Sequence, residues 1–236
     1  METSYLNIEN IERSRSATLV DACQSQMDGV EYHPLIPFLP ENAKVLFLGS
    51  FPPQRKRWCM DFYYPNFIND HWRIEGQVFF GDKNHFVDVE AKRFKLDEIV
   101  AFCQEKGLAF FDTSTAVRRL QDNASDKFLE VVEPTDINAL IQRLPHLRAI
   151  VTTGEKATET ICAYFGIATI PKVNTSVKVP LPTSCVPLVA SVQRPSEGGG
   201  RGEALQLYRL PSSSRAYPLA FDKKVAYYRQ MFERFM

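Results

Sequence analysis

Residues 44–53 read KVLFLGSFPP, and residues 62–74 read FYYPNFINDHWRI. Val45 to Leu48 make a short apolar run that breaks at Gly49-Ser50, with Pro52-Pro53 just beyond. This is the pattern of a buried strand ending in a rigid turn. Glycine admits a close backbone or ligand, and two prolines hold the turn without donors. The second stretch gathers two tyrosines, a proline, two asparagines, a histidine and a tryptophan within a few residues. Strand ends that open into such loops are where open α/β sheets bind ligands.

Outward from this stretch, strand-like runs recur at 108–111, 148–152, 187–192 and 205–210, the first one covering 44–49. Helix-like segments at 97–106, 135–144 and 155–165 lie between them, and a final amphipathic helix covers roughly 219–235. Asp97, Thr135 and Gly154 fit helix starts, and Gly107 and Gly166 fit helix stops. Alternation of strand and helix predicts an α/β fold with a mostly parallel sheet covered on both faces. Residues 1–40 read as an N-terminal extension packing on a domain of residues 41–236. A helix is expected from Ala17 to Met27, and HPLIPFLP runs extended into the first strand. PSEGGGRGE, 195–203, reads as a flexible surface loop. Its glycines could cradle a phosphate, but no P-loop lysine-serine pair follows.

With 236 residues, 44% of them hydrophobic, the chain suits one globular domain with a sizeable core. Its net charge is zero, so any affinity for nucleic acid must come from a local patch. No stretch approaches the roughly 20 apolar residues of a membrane span. The polar start, METSYLNIENIERSRS, does not read as a secretory signal. Cysteines at 23, 59, 103, 162 and 185 form no CxxC pair, which argues against an iron-sulfur or structural zinc site. Reduced thiols in a cytoplasmic protein are expected, with no metal and no cofactor.

Several residues in these loops can carry chemistry. Tyr63 and Tyr64 offer flat faces for stacking. Asn66 and Asn69 each carry donor and acceptor on one amide, able to read a base edge or orient a water, although Asn66 also suits a turn after Pro65. His71 reads as an acid, a base or a cation near a developing anion, or else as a packed or solvent-facing histidine. Trp72 reads as the loop's anchor in the core. Asp112 follows the second strand and either caps the next segment or enters the pocket. Arg55-Lys56-Arg57 and Arg118-Arg119 are basic clusters, each a solvated face or a phosphate contact. In LPSSSRAYP, 210–218, the serines beside Arg215 either bond phosphate oxygens or cap the last helix.

Taken together, GSFPP, YYPNFINDHW, GLAFFDTSTAVRR, EPTDINALIQRLPHLRAIVTTGEKA and RLPSSSRAYP resemble, in this order, the motifs of the uracil-DNA glycosylase superfamily. The likeness covers about 44–235. It is greatest to the hypoxanthine-DNA glycosylase branch, with its GSFPS-type first motif, YY…N.FW stretch and LPS-type last motif. The resemblance implies a three-layer α/β/α sandwich around a short, mostly parallel sheet. It also implies a monofunctional glycosylase of base excision repair, acting as a monomer on DNA that carries a damaged or mismatched base. A flipped-out hypoxanthine or uracil would be cleaved from its deoxyribose.

Carried over by position, Gly49, Ser50, Phe51, Pro52 and Tyr64 form the base pocket, with Tyr64 stacking on the base. Asn69 orients the attacking water. Phe51 stands where mismatch-specific uracil glycosylases place a water-positioning asparagine. Asp70 and His71 depart from the family's Asn-Arg-Phe-Trp. The acid either aids water activation or repels phosphate, and the histidine adds a donor for the leaving base. Leu210 and Pro211 match a minor-groove wedge, Ser212, Ser213 and Ser214 a phosphate grip, and Arg215 a phosphate contact.

Overall fold

The computed structural model describes residues 29–120, 128–180 and 204–236. The chain runs through strands β1 (Val30–Tyr32) and β2 (Val45–Gly49) to helix α1 (His71–Phe80). A small hairpin, β3 (Val87–Asp88) and β4 (Arg93–Phe94), precedes α2 (Leu96–Lys106). Then come β5 (Leu108–Asp112), β6 (Ser114–Arg119), β7 (Leu129–Pro134), α3 (Ile137–Gln142), β8 (Ala149–Thr153) and α4 (Glu155–Tyr164). The last elements are β9 (Thr175–Lys178), β10 (Gln206–Leu210) and α5 (Phe221–Phe235).

The central sheet has the order β5-β2-β8-β10-β9. The first four strands are parallel and only β9 runs against them. Val45 to Leu48, Leu108 to Phe110 and Ala149 to Val151 are fully buried, as expected of strands covered on both faces. The flanking helices supply that cover, α1 and α5 packing on each other. The expected mixed α/β architecture with a mostly parallel sheet is therefore present. Four of the five expected strands are β2, β5, β8 and β10. The fifth, 187–192, lies outside the described residues, as do the expected helix at 17–27 and the loop at 195–203.

Chain order fixes where this sheet opens. From β2 the chain moves to β5 on one side, then returns to β8 and β10 on the other. The order reverses between β2 and β8, and side chains beyond the carboxyl ends of those strands border a ready crevice. Gly49, the last residue of β2, and Thr153, the last of β8, stand at that point.

Two features were not expected from the sequence. A second sheet, β1-β6-β7, is antiparallel throughout. It brings Val30 to Tyr32 of the N-terminal extension onto Ala116 to Arg118. The extension continues along β5, where Phe38 and Phe110 exchange two backbone hydrogen bonds of 3.0 and 2.9 Å and so cover an exposed sheet edge. Helix α1 begins inside the stretch expected to be a loop, and it carries Gly76 although glycine in a helix interior costs about 1 kcal/mol. Close packing explains the glycine: a Cβ there would lie 2.6 Å from the Asp82 carbonyl oxygen.

Candidate functional site

Three loops meet at the carboxyl edge of the sheet. The first follows β2 and contains Tyr64, whose φ of 51° is unusual for a non-glycine residue. Its hydroxyl lies 2.7 Å from Thr153 Oγ1, tying the ring across the end of β8. Trp72 anchors the loop as expected. It is fully buried and donates from Nε1 to the Tyr63 carbonyl at 3.0 Å. Asn66 is a turn residue: its Oδ1 accepts from Ile68 N and its carbonyl from Asn69 N.

The loop after β10 docks directly on this one. Asn69 and Ser214 form an isolated antiparallel bridge, and Asp70 N donates to the Ser213 carbonyl at 3.0 Å. Arg215 Nε donates to Asp70 Oδ1 at 2.8 Å. The buried Lys224 donates to the Ser214 carbonyl at 2.7 Å, and burial pulls its pKa down from the ordinary lysine value. The sequence separates the YYPNFINDHW and LPSSSR motifs by more than a hundred residues, and the fold joins them.

That joining revises several roles. Asn69 Oδ1 accepts the His71 N–H at 2.9 Å at the start of α1, so its amide oxygen is engaged and the NH2 end is what it offers a ligand. Asp70 Oδ1 is engaged by Arg215. His71 is fully buried, with its ring stacked on Tyr64 at 3.7 Å and 12°. Its Nε2 lies 3.0 Å from Glu75 Oε1, one turn along the helix and equally buried. It backs the tyrosine from within the core and cannot reach a leaving base. One face of Tyr64 is thereby covered by the imidazole.

Leu210 ends β10 fully buried, and Pro211 is buried beside it, so neither projects as a wedge. The apolar side chain that does project here is Ile68. Ser213 is buried, while Ser212 and Ser214 hydroxyls accept the N–H groups of Ser214 and Ala216. These serines shape their own loop. Arg215 is half-exposed and remains the cation this loop presents to solvent.

At the other end of the strand row lies a pair whose histidine sequence reasoning missed. Asp112 ends β5 opposite Gly49. Its Oδ2 lies 2.9 Å from His33 Nε2, in the N-terminal segment. Its Oδ1 packs so close to Gly49 that a Cβ at residue 49 would collide with it. Glycine at 49 is thus explained by close approach, not by backbone conformation. Thr135 Oγ1 donates to the Asp112 backbone carbonyl at 2.8 Å. Phe51 is not in this floor. It packs with Val117 and Leu129, edge-on to His33 at 5.4 Å. Ser50 and Pro52 are buried in the same turn, their carbonyls taken by Thr113 and Arg119.

Neither basic cluster is simply a free patch. Arg119 is bound through Nε and Nη2 to Glu31, and Arg118 Nη1 donates to Glu130. Arg55-Lys56-Arg57 form an exposed 3-10 turn, with Arg55 paired to Asp61 at 2.6 Å. Two surface clefts, one beside Gln77 and Phe221 and one beside Cys59 and Phe94, lie away from the strand ends. Among the described residues no His, Cys, Asp or Glu cluster could hold a metal ion, and no helix is long and apolar enough to cross a membrane.

From β5 to β10 the strand ends therefore carry, in sequence, Asp112 with His33, then Gly49, then Thr153 with Tyr64, then the Asn69–Ser214 junction with Arg215. Strands about 4.8 Å apart make this row about 14 Å long. No family model and no curated protein matches the chain. Its structure does match the solution NMR structure of a putative uracil DNA glycosylase from Methanosarcina acetivorans. The TM-score is 0.53 at 21% identity, over 87% of this chain and 98% of that one. The two chains share a fold. The site residues of this chain rest on its own geometry, since identity this low speaks for architecture alone.

Proposed function

We propose that the protein is a DNA glycosylase that hydrolyses the N-glycosidic bond of a deaminated base, hypoxanthine or uracil, flipped out of DNA. One observation carries the reading: the row of groups at the strand ends suits one nucleotide laid across it. Tyr64, its ring stacked on His71 and its hydroxyl against Thr153, would stack on the base. Stacking on such a ring is worth about 1–3 kcal/mol, comparable with the cost of flipping. Asp112 supplies an acceptor for an N–H of the base or an O–H of water. The Asn69 amide supplies a donor, and Arg215 a cation for phosphate.

The reaction needs little more. Water oxygen bonds to the sugar C1′, the C1′–N bond breaks with its electron pair leaving on the base, and the water proton ends on the base. An oxocarbenium-like sugar and a departing anion are stabilised by fixed donors and charges, which cost no reorganisation as the bond breaks. The fold shared with the archaeal glycosylase-like protein supports this reading, as does the motif order in the sequence.

Duplexes carrying uracil, hypoxanthine or xanthine, incubated with protein and then treated with alkali, test it. Free base and alkali-dependent strand scission are expected, with no scission before alkali. Asn69→Ala is expected to lower kcat about 100-fold, the scale for loss of one preorganised donor. Intact strands with every lesion at stoichiometric protein would overturn the enzymatic reading. The second reading, a binding protein without chemistry, is favoured by the Asn69 oxygen and Asp70 both being committed within the fold. It predicts lesion-selective binding, no base release, and no effect of Asn69→Ala.

A further inference from the structure

We propose that His33 is a positioning residue that holds the Asp112 carboxylate at the mouth of the site, so that the N-terminal segment completes the site. The proposal rests on the glycosylase reading above. His33 does not touch the space over Gly49; it acts through Asp112. Its ring is caged by Phe51 at 5.4 Å, Phe111 at 4.7 Å and Tyr63 at 6.4 Å, and its side chain is only 3% exposed.

The backbone of Leu35 serves either protonation state of this ring. Leu35 N donates to Nδ1 at 3.2 Å, and Nδ1 also stands 2.8 Å from Leu35 O. A neutral imidazole protonated on Nε2 donates to Asp112 while accepting from Leu35 N–H. An imidazolium donates to both Asp112 and Leu35 O. In both states Nε2–H holds Asp112 Oδ2, and Oδ1 stays over Gly49. The other ionisable groups nearby are already engaged. The Tyr63 hydroxyl donates to Ile36 O and is kept neutral by burial and then by Asp112. Arg119, beyond Phe51, is bound to Glu31 and to Pro52 O.

The segment that carries His33 is itself pinned. His33 N donates to Thr115 O at 2.8 Å, β1 pairs with β6, and Phe38 pairs with Phe110. These contacts fix both flanks of the histidine, which is what a residue that orients a carboxylate requires.

Two measurements test the proposal. In base-release assays, His33→Leu is expected to lower kcat/KM about 10–100-fold, the range seen when an orienting partner is lost. His33→Gln, which keeps an N–H donor, is expected to restore most of that loss. In an Asp112→Ala background, His33→Leu is expected to cost nothing further, because its effect passes through the carboxylate. An equal loss in both backgrounds would make His33 merely structural and overturn the proposal. Independently of substrate, 1H–15N spectra of His33 are expected to show an exchange-protected Nε2–H that disappears in Asp112→Ala. Its absence from the wild type would also overturn the proposal. A wild type that shows this resonance but releases no base would overturn the glycosylase reading and leave the positioning geometry supported.

Discussion

Among the described residues there are two histidine–carboxylate pairs, and they do opposite things. His71 and Glu75 sit one turn apart on α1, both wholly buried, the His71 ring among Phe47, Trp72, Phe110 and Tyr228. His33 and Asp112 come together from 79 residues apart at the sheet's carboxyl edge, where Asp112 keeps some access to solvent. The pair that is adjacent in sequence and sits inside the most suggestive motif is part of the core. The pair assembled from a strand end and a segment that looked peripheral borders the site. Spacing along a chain identifies neighbours on a helix; it says nothing of which pair faces water.

The largest effect that would test this contrast is on stability. Removing one member of a fully buried histidine–carboxylate pair strands the other, so Glu75→Ala is expected to cost about 3–5 kcal/mol in denaturant unfolding. Replacing both members by apolar residues, His71→Phe with Glu75→Met, is expected to recover most of that loss. A Glu75→Ala variant as stable as wild type would remove the core assignment. At the rim, Gly49→Ala is expected to cost less, about 1–3 kcal/mol, because one methyl must displace the Asp112 carboxylate. Base release is expected to fall further than stability does. A variant of full activity would detach Asp112 from the site. Smallest is Tyr63→Phe, which loses the hydrogen bond to Ile36 O, worth about 1 kcal/mol.

Tyr63 also gives the contrast a pH signature. Its pKa is raised by burial first and by Asp112 second. Below pH about 10, folded and unfolded chains both keep the phenol proton and stability is unaffected. Above it the unfolded chain loses the proton first, so stability falls as pH rises. Tyr63→Phe is expected to flatten that alkaline limb in chemical denaturation measured from pH 9 to 11.

The parallel core was legible because fully buried strands leave short apolar runs. KVLFLG, LAFF, RAIVT and LQLYRL became β2, β5, β8 and β10 within a residue or two. The antiparallel sheet was not, since β7, LEVVEP, is largely exposed and its two adjacent valines break the apolar–polar alternation that marks a half-buried strand. Helix α1 starts within the aromatic, amide-rich stretch that reads as a loop, and its Gly76 answers to the close approach of the Asp82 carbonyl. Among the residues expected at the site, Tyr64 lies against Thr153 at the end of β8 and Asn69 is joined to Ser214 of the loop after β10. The roles expected of His71, Leu210 and Pro211 fail on burial, which a one-dimensional pattern does not carry. His33 had no local mark beyond its place before Pro34. Only tertiary pairing brings it to Asp112.

The N-terminal strap along β5 has a consequence for how the protein fails. Strand β1 has three residues, and its neighbouring bridge at Phe38 is a single pair. Segments held by so few backbone bonds open at a fraction of the free energy needed to melt the central strands. Peeling the strap away would carry His33 off Asp112 while β2, β5, β8 and β10 stay paired. On gentle heating, function would then disappear while circular dichroism still reports an intact sheet, and the inactivation midpoint would lie below the melting point.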